Sequence, residues 1–241
     1  MSQRAENKGF DPFLSSDGAE KPGNDITLTH VAYERLRQDI LSGILQPGHK
    51  LRIEALKLRY DIGPSPLREA LSRLTADGLV VNLLRRGFWI PEVTLEDFCD
   101  ITRTRQILEC AALGSAIEQN DTAWKNHLNK AYDNLNQVEA TIAPDDIEAI
   151  SAWEMLHRNF HMALTGGLES KWLGNVQQRL IDQSDRYRRL FLPRTAISLE
   201  VDHSHSQIME FVNKRDVAKA RATLTAHLDD ALKRAEKSGY F

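Results

Sequence analysis

The chain has 241 residues, of which 41% are hydrophobic and 27% charged, values typical of a soluble globular protein. No apolar run approaches the roughly 18 residues of a membrane-spanning helix, and the N-terminus lacks the pattern of a secretory signal. The net charge of −3 is uneven, because residues 26–91 carry ten basic and six acidic side chains. A basic segment on an acidic body is typical of proteins that bind polyanions, although ordinary variation in charge explains it equally well.

The two cysteines, Cys99 and Cys110, lie about three turns apart on one predicted helix. This separation is too large for a disulfide, so the cysteine usage favours a reducing, cytoplasmic location.

In chain order, residues 1–25 are polar and without periodicity, which predicts a disordered tail. The next segments show helical periodicity ended by glycine, and then two apolar, β-prone pieces around Arg85-Arg86-Gly87 that predict a hairpin. The predicted elements are helices at about 30–42, 53–60 and 64–76 (or 66–76), with hairpin strands at 79–84 and 88–90.

Pro91 ends this region, and Thr94 with Asp97 forms the capping-box pattern that marks a helix start. Asp216 is a plausible cap for the last helix. Six helices are predicted beyond Pro91, at about 95–119, 121–141, 145–166, 169–191, 197–213 and 216–237. The chain is therefore predicted to be mainly α, with a small domain at 26–91 and an all-α antiparallel helical bundle at 92–241.

Three helices and a hairpin within 26–91 are typical of a winged helix-turn-helix, whose third helix enters the DNA major groove. Ser65, Arg68 and Arg73 are expected on or near the leading turns of that helix, where free backbone N–H groups suit phosphate. Arg85, Arg86 and Gly87 stand at the hairpin tip, within reach of phosphates or the minor groove. For any single arginine, a solvated surface position is the more common alternative.

The segment 51-LRIEALKLRYDIGPSPLREALSRLTADGLV-80, followed by 85-RRGFWI-90, resembles the GntR family of bacterial transcriptional regulators. The resemblance lies in PLREAL at 66–71, DGLV at 77–80 and the Arg86-Gly87 pair. The chain departs from the family at position 64, where a base-reading basic residue is expected and proline stands. The resemblance implies a regulator rather than an enzyme, with DNA contacts from Arg52, Ser65, Arg68, Arg73, Arg86 and Gly87.

One recognition helix reads one half-site, so we expect a homodimer on a palindromic double-stranded DNA operator. The joint at Pro91–Thr94, between the two predicted domains, is the expected point at which a ligand changes DNA binding.

Five of the eight histidines fall between positions 157 and 227. His157 and His161 are four residues apart and share a helical face, and His205 and His227 lie on two later predicted helices. Four imidazoles in a helical bundle suit a divalent metal, with zinc favoured and nickel or manganese as alternatives. A single histidine is more often an ordinary core or surface residue.

This part of the chain resembles the FCD ligand-binding domain of the FadR subfamily, through 105-RQILE-109, 157-HRNFHMAL-164, 205-HSQI-208 and His227-Leu228. That domain's metal site uses an Asp and three His, and the Asp position is His157 here. His157 is expected either to replace the carboxylate as a ligand or to leave the metal and face the effector. Glu154 is a possible hydrogen-bonding partner for it.

Ser170 stands where the family usually has Asn, and with the His-x3-His pair it resembles the carbon-starvation-induced branch, which regulates glutarate and γ-aminobutyrate catabolism. A small carboxylate or dicarboxylate effector is implied, bound by the metal and by a guanidinium such as Arg105. Arg186 and Arg189 are further candidates, although surface salt bridges are the simpler expectation for both.

The predicted function is a DNA-binding transcriptional regulator, with repression relieved by a ligand as the commoner family behaviour. An alternative is a metal-responsive regulator, in which the divalent ion itself is the effector. A metalloenzyme is disfavoured, because the zinc-hydrolase pattern His-Glu-x-x-His needs Glu at position 158, which is Arg.

Overall fold

The computed structural model describes residues 27–142, 147–191 and 204–241; the predicted tail at 1–25 and the predicted helix start at 197–203 lie outside them. The first part contains α1 (Leu28–Leu41), β1 (Lys50–Leu51), α2 (Ile53–Tyr60), α3 (Pro64–Ala76), β2 (Val81–Leu83) and β3 (Gly87–Trp89). The second contains α4 (Leu95–Gln119), α5 (Thr122–Glu139), α6 (Ile147–Thr165), a 3-10 helix (Gly166–Leu168), α7 (Lys171–Phe191), α8 (Ser204–Asn213) and α9 (Val217–Lys237). The predicted mainly α fold is confirmed: a winged helix-turn-helix precedes a helical domain.

The wing is part of a three-stranded antiparallel sheet in the order β1-β3-β2. β1 pairs Lys50 with Trp89, and β2 pairs Asn82 with Phe88. β1 was absent from the sequence prediction, β2 is shorter than predicted, and β3 has the predicted length but begins one residue earlier. The sheet therefore ties the chain just before α2 to the wing, which fixes the wing relative to α2 and α3.

The apolar side of α3 fixes its orientation. Leu67, Ala70, Leu71 and Leu74 are buried and pack against apolar residues of α1 and α2. The helix begins at Pro64, the earlier of the two predicted starts, after Gly63 in an extended conformation. A proline in the first turn loses no helical hydrogen bond, because that N–H would have no partner inside the helix. The polar side of α3, including Arg68, is left exposed.

In the second part, α4 packs against α7 and α9, α5 against α6, and α8 against α9. The start of α4 agrees with the capping prediction in part. Thr94 accepts a hydrogen bond from the Asp97 backbone N–H, but the Asp97 carboxylate accepts from the Tyr187 hydroxyl instead of completing the box. Asp216 caps α9 by accepting from the Lys219 backbone N–H. Across the described parts of the chain, no helix is both long and apolar enough to cross a membrane.

α7 joins the two parts. Asp182 binds Arg37 of α1 through both carboxylate oxygens, and Arg179 lies 3.7 Å from Asp77 at the end of α3. Arg186 donates to the carbonyl oxygen of Pro91, in the joint that the sequence indicated. One face of α7 thus contacts the DNA-binding part and the connecting segment together.

Candidate DNA-binding surface and histidine site

A groove of about 730 Å³ lies between α2, α3 and the wing. Its lining is mainly basic: four cationic residues outnumber one carboxylate, and the charged and polar members are Lys50, Arg52, Arg68, Arg85, Glu54, Ser72 and Asn82, with Gly87 at the wing. Arg52 immediately precedes α2, and Arg68 lies in the first half of α3; both are exposed. A cationic groove beside a helix suits a phosphate backbone. The structure therefore brings three of the predicted DNA contacts, Arg52, Arg68 and Gly87, to one surface.

The other predicted contacts on α3 do not line this groove. Ser65 is exposed in the first turn, outside the lining of the groove. Arg73 lies in the last turn of α3 and not near its start, and its guanidinium sits 4.5 Å from the centroid of the Tyr33 ring. The position expected for Arg73 on the leading turns was wrong, because α3 ends at Ala76 and residue 73 therefore lies in its final turn.

Trp89 organises the basic side chains of the wing. Arg86 lies 5.5 Å and Lys50 5.6 Å from the centroid of its ring, distances at which a cation is attracted to the ring face. The tip between β2 and β3 requires left-handed backbone at Arg85, with φ of 61°, and at Gly87, with φ of 84°. The sequence analysis placed Arg85 at the hairpin tip but missed Lys50. The signal for Lys50 was the β1–β3 pairing, which two residues of strand cannot reveal.

The four predicted histidines converge in the helical part. One ligand atom from each of His157, His161, His205 and His227 lies within 4.8 Å of all the others. The Nε2 atoms of His161 and His227 are 3.1 Å apart. Nitrogen ligands about 2.0–2.1 Å from a tetrahedral metal lie roughly 3.3 Å from one another, so this spacing is close to that of ligands to one ion.

Three of these imidazoles are oriented by partners on Nδ1. His161 Nδ1 lies 3.2 Å from Glu109, His205 Nδ1 3.1 Å from Glu139, and His227 Nδ1 2.7 Å from the Ser204 hydroxyl. An Nδ1–H that donates to an oxygen leaves the Nε2 lone pair for a metal. The Nε2 of buried His205 has no hydrogen-bond partner among the described residues. A buried lone pair without a partner is unfavourable, and a cation would satisfy it, so the donor set fits a metal.

His157 differs from the other three. Its Nδ1 accepts from Arg188 at 3.1 Å, and its ring stacks on Trp153 with centroids 4.9 Å apart. A neutral imidazole that accepts at Nδ1 carries its proton on Nε2, which then has no lone pair for a metal. In this arrangement His157 faces Arg188, whereas His161, His205 and His227 offer lone pairs to an ion.

Burial keeps two of these imidazoles, those of His157 and His161, neutral. It lowers the pKa of His157 well below its usual value, and His161 and Arg188 lower it further. Burial also lowers the pKa of His161 to about 3, although its hydrogen bond to Glu109 opposes the shift. Burial would raise the pKa of Glu109, but Arg105 and His161 outweigh it and hold the pKa at about 2. The site therefore places the neutral imidazole of His161 in front of the ionised carboxylate of Glu109.

Comparison with known proteins identifies the family of each part of the chain. Residues 28–90 match the family described as bacterial regulatory proteins, gntR family, and residues 100–230 match the FCD domain. The chain is 32% identical over 206 residues to the HTH-type transcriptional regulator BphR of Paraburkholderia xenovorans LB400, covering 86% of this chain and 84% of that protein. The chain belongs to the GntR family.

A second relative supports this membership, and a solved structure shares the fold. The HTH-type transcriptional repressor GlaR of Escherichia coli K12 is 32% identical over 208 residues, covering 84% of this chain and 94% of that protein. A GntR regulator from Rhodococcus sp. RHA1 has the same fold, with a TM-score of 0.70 at 20% identity over 87% of this chain and 97% of that chain. As a GntR-family protein with an FCD domain, the chain is a DNA-binding transcriptional regulator and not an enzyme.

Within the FCD domain, Arg105 is buried beside the histidines. Its Nε donates to Glu109 at 2.6 Å and its Nη1 to Ser184 at 2.9 Å, while Nη2 lies 3.5 Å from His161 Nδ1. Arg105 therefore holds the carboxylate that orients His161. The structure places Arg105 at the site but with all three nitrogens near protein atoms.

The other residues considered from the sequence lie elsewhere. Arg189 forms an ion pair with Glu154, so Glu154 is not seen as a partner of His157. Arg186 donates to Pro91, outside the histidine cluster. Arg188, between those two arginines, was missed by the sequence analysis, as were Glu139 and Ser204. Each lies outside the quoted family patterns, so only the three-dimensional packing brings it to the cluster.

Proposed function

We propose that the protein is a ligand-responsive repressor that holds a divalent metal in its FCD domain and binds a small carboxylate or dicarboxylate beside it. His161, His205 and His227 are the proposed ligands through Nε2. His157 would become a fourth ligand only by releasing Arg188 and moving its proton to Nδ1; with Arg188 in place it contacts the effector instead. The observation that carries the proposal is the Nε2 of buried His205, which has no hydrogen-bond partner among the residues that the structure describes, in a cluster where three Nδ1 atoms already have partners.

The donor set favours zinc, because neutral imidazole is a preferred ligand of that ion; nickel and manganese remain alternatives. When bound, the metal supplies a positive charge that attracts a carboxylate oxygen. The protein's own residues orient the ligands: Glu109 fixes His161, and Glu139 fixes His205. Glu139 also accepts from the Trp153 indole at 3.0 Å, which holds the carboxylate in place.

Two guanidinium groups support an acidic effector. Arg105 lies next to His161, and Arg188 contacts His157 from the opposite helix. The Nε of Arg188 is buried and has no hydrogen-bond partner in the described part of the chain. A guanidinium with an unused donor suits a carboxylate in a water-poor site, where charge-assisted hydrogen bonds are strong. We propose that Arg188 joins Arg105 in binding the effector.

On the DNA side, the cationic groove supports operator contacts from Arg52, Arg68 and Gly87, with Ser65, Arg73 and Arg86 at its margins. Repression is favoured by the relatives GlaR and RspR of Escherichia coli, both named transcriptional repressors. One recognition helix per chain favours a homodimer on a palindromic operator.

A thermal-shift screen of C4–C6 mono- and dicarboxylates, with zinc and with a chelator, tests the effector and the metal together. A ligand that binds only the folded state raises the melting temperature by mass action. We expect at least one acid to raise it with zinc and to lose that effect after chelation. The same acid should release the protein from DNA upstream of its own gene in a gel-retardation assay.

The arms of this screen separate the two modes of regulation. If zinc alone releases the DNA and no acid adds to its effect, the ion is the effector and the carboxylate proposal is wrong. If neither zinc nor any acid changes the melting temperature, the histidine cluster is not a ligand site.

A further inference from the structure

A continuous series of charged contacts connects the histidine cluster to the DNA-binding part. From His157 it begins at Arg188, whose Nη2 donates to Asp185 at 2.9 Å. The other oxygen of Asp185 accepts from Arg158 at 2.6 Å. Arg158 also contacts Asp182, and Asp182 binds Arg37 of α1 at 2.6 and 2.7 Å. We call this set, Arg37, Asp182, Arg158, Asp185 and Arg188, the arginine–aspartate chain.

The arginine–aspartate chain is shielded from water along most of its length. The exposed side-chain fractions of Asp182, Asp185 and Arg188 are 7%, 11% and 10%. Arg158 is 17% exposed and Arg37 is 23% exposed. Ion pairs at this depth interact more strongly than surface pairs, and a change at one member alters the partners of the next.

The charges of the arginine–aspartate chain do not balance. Three arginines alternate with two aspartates, and an arginine stands at each end. The end at the histidine cluster, Arg188, has an Nε without a partner among the described residues. A carboxylate bound there would match the third guanidinium and compete with Asp185 for it. Asp185 would then interact more with Arg158, which is shared with Asp182.

We propose that Asp182 is a positioning residue that couples occupancy of the histidine site to the placement of the DNA-binding domain. Asp182 holds α1 through Arg37 and shares Arg158 with Asp185. When Arg188 turns to an anionic ligand, Arg158 shifts towards Asp185, and Asp182 keeps Arg37 as its main partner. The strength of the Asp182–Arg37 contact between α7 and α1 therefore differs between the ligand-free and ligand-bound states. A ligand can shift the domain arrangement only if it interacts differently with the two arrangements. The arginine–aspartate chain supplies that difference.

The inference rests on the proposed function, since it needs a ligand at the histidine site. The test uses the full-length protein and measures operator affinity without ligand, with zinc alone, and with zinc plus each acid that raises the melting temperature. Asp182→Asn keeps the size of the side chain and removes its charge. In the wild type we expect operator affinity to change by roughly 5-fold or more, the lower range of allosteric coupling. In Asp182→Asn we expect a change below about 2-fold, with ligand affinity measured by calorimetry close to that of the wild type.

Arg179→Gln is the matched control. Arg179 also reaches from α7 to the DNA-binding part, where it faces Asp77, but it contacts no member of the arginine–aspartate chain. This variant should respond to ligand as the wild type does. Arg37→Gln, at the more exposed end of the chain, replaces Asp182→Asn as the test variant if the latter fails to fold, and Asp182→Glu should recover part of the response.

The outcomes are distinguishable. A wild type whose operator affinity is unchanged by zinc and by every acid would overturn the proposed function and the coupling with it. A normal wild-type response that persists in both Asp182→Asn and Arg37→Gln would overturn the coupling alone. Loss of the response in Arg179→Gln as well would show that any contact between the two parts suffices, and Asp182 would lose its special role.

Discussion

The DNA-binding groove and the histidine site are built in opposite ways. The candidate DNA contacts lie between positions 52 and 87, and their arginines are exposed. The four histidines come from α6, α8 and α9, span positions 157 to 227, and have three fully buried members. The first site is local and solvated, whereas the second is assembled from distant segments and withdrawn from water.

This difference has an energetic origin. Water solvates an exposed arginine, so Arg68 needs no protein partner, only a helix that points it outward. A buried imidazole needs a hydrogen-bond partner on each nitrogen, because an unsatisfied polar group in the interior costs about 1–3 kcal/mol. Glu109, Glu139 and Ser204 supply such partners from three separate helices. The buried site is therefore the one that should fail most completely when a single residue is removed.

The largest effect is expected for His161→Ala in the histidine site. The change removes one proposed ligand and leaves Glu109 without the imidazole that it orients. We expect bound zinc, measured by elemental analysis after purification with the metal, to fall from about one equivalent to near zero.

His127→Ala is the matched control, because His127 is an exposed histidine of the same domain outside the cluster. It should retain the wild-type zinc content. Undiminished zinc in a correctly folded His161→Ala protein would remove His161 from the ligand set.

In the solvated site, Arg68→Ala should weaken operator binding by about 10-fold. It should also reduce the slope of log affinity against log salt concentration by about 1, because one phosphate contact is lost. The melting temperature should stay the same, since the side chain is exposed and supports no buried contact. Arg103→Ala, an exposed arginine on α4 away from the groove, serves as the control. Equal retardation of operator DNA by Arg68→Ala and Arg103→Ala at several salt concentrations would exclude Arg68 from the interface.

The same contrast explains how much the sequence could predict. The bounds of α2, α3 and α4 agree with prediction, because prolines, glycines and the Thr94 cap mark them locally. β1 was missed because two residues show no alternation. The 3-10 helix at Gly166–Leu168 was also missed, since such a short turn has no periodicity of its own; the prediction ended one helix at 166 and began the next at 169.

The partners of the histidines were harder to find for a different reason. The buried face of α7 carries Asp182, Ser184, Asp185 and Arg188, so hydrophobic periodicity does not reveal which way each side chain points. Consecutive helical residues point about 100° apart, so an error of one position in the assigned face selects Arg189 as the candidate instead of Arg188. The histidines themselves were identified from their spacing and from the family resemblance, and the structure brings all four together.

The stability of metal-free protein should fall in acid because of the buried site. His157 and His161 have lowered pKa values when folded, while the unfolded chain protonates them near pH 6.5. Above that pH the histidines are neutral in both states. As pH falls below 6.5, the unfolded state gains protons first, so the free energy of unfolding decreases by up to about 1.4 kcal/mol per pH unit for each histidine.

Urea unfolding of chelator-treated protein between pH 7.5 and 5 measures how the free energy of unfolding changes with pH. His161→Asn removes one of the two histidines with a lowered pKa and should make this slope shallower. A slope in His161→Asn that equals the wild-type slope would show that His161 does not remain neutral in the folded protein.

The smallest effect is expected at the wing, from a matched pair of glycine substitutions. Gly87 has φ of 84°, and an added Cβ would meet nothing within 4 Å, so Gly87→Ala introduces backbone strain without a steric clash. Placing alanine in this left-handed region costs roughly 1–2 kcal/mol. Gly174 lies in α7 with equally open space, and there Gly→Ala should stabilise the helix by about 0.5–1 kcal/mol.

The two substitutions should therefore shift the melting temperature in opposite directions. Only Gly87→Ala should weaken operator binding, because it alone disturbs the tip that carries Arg86. If Gly87→Ala binds the operator as the wild type does, the wing is not held against DNA by this turn.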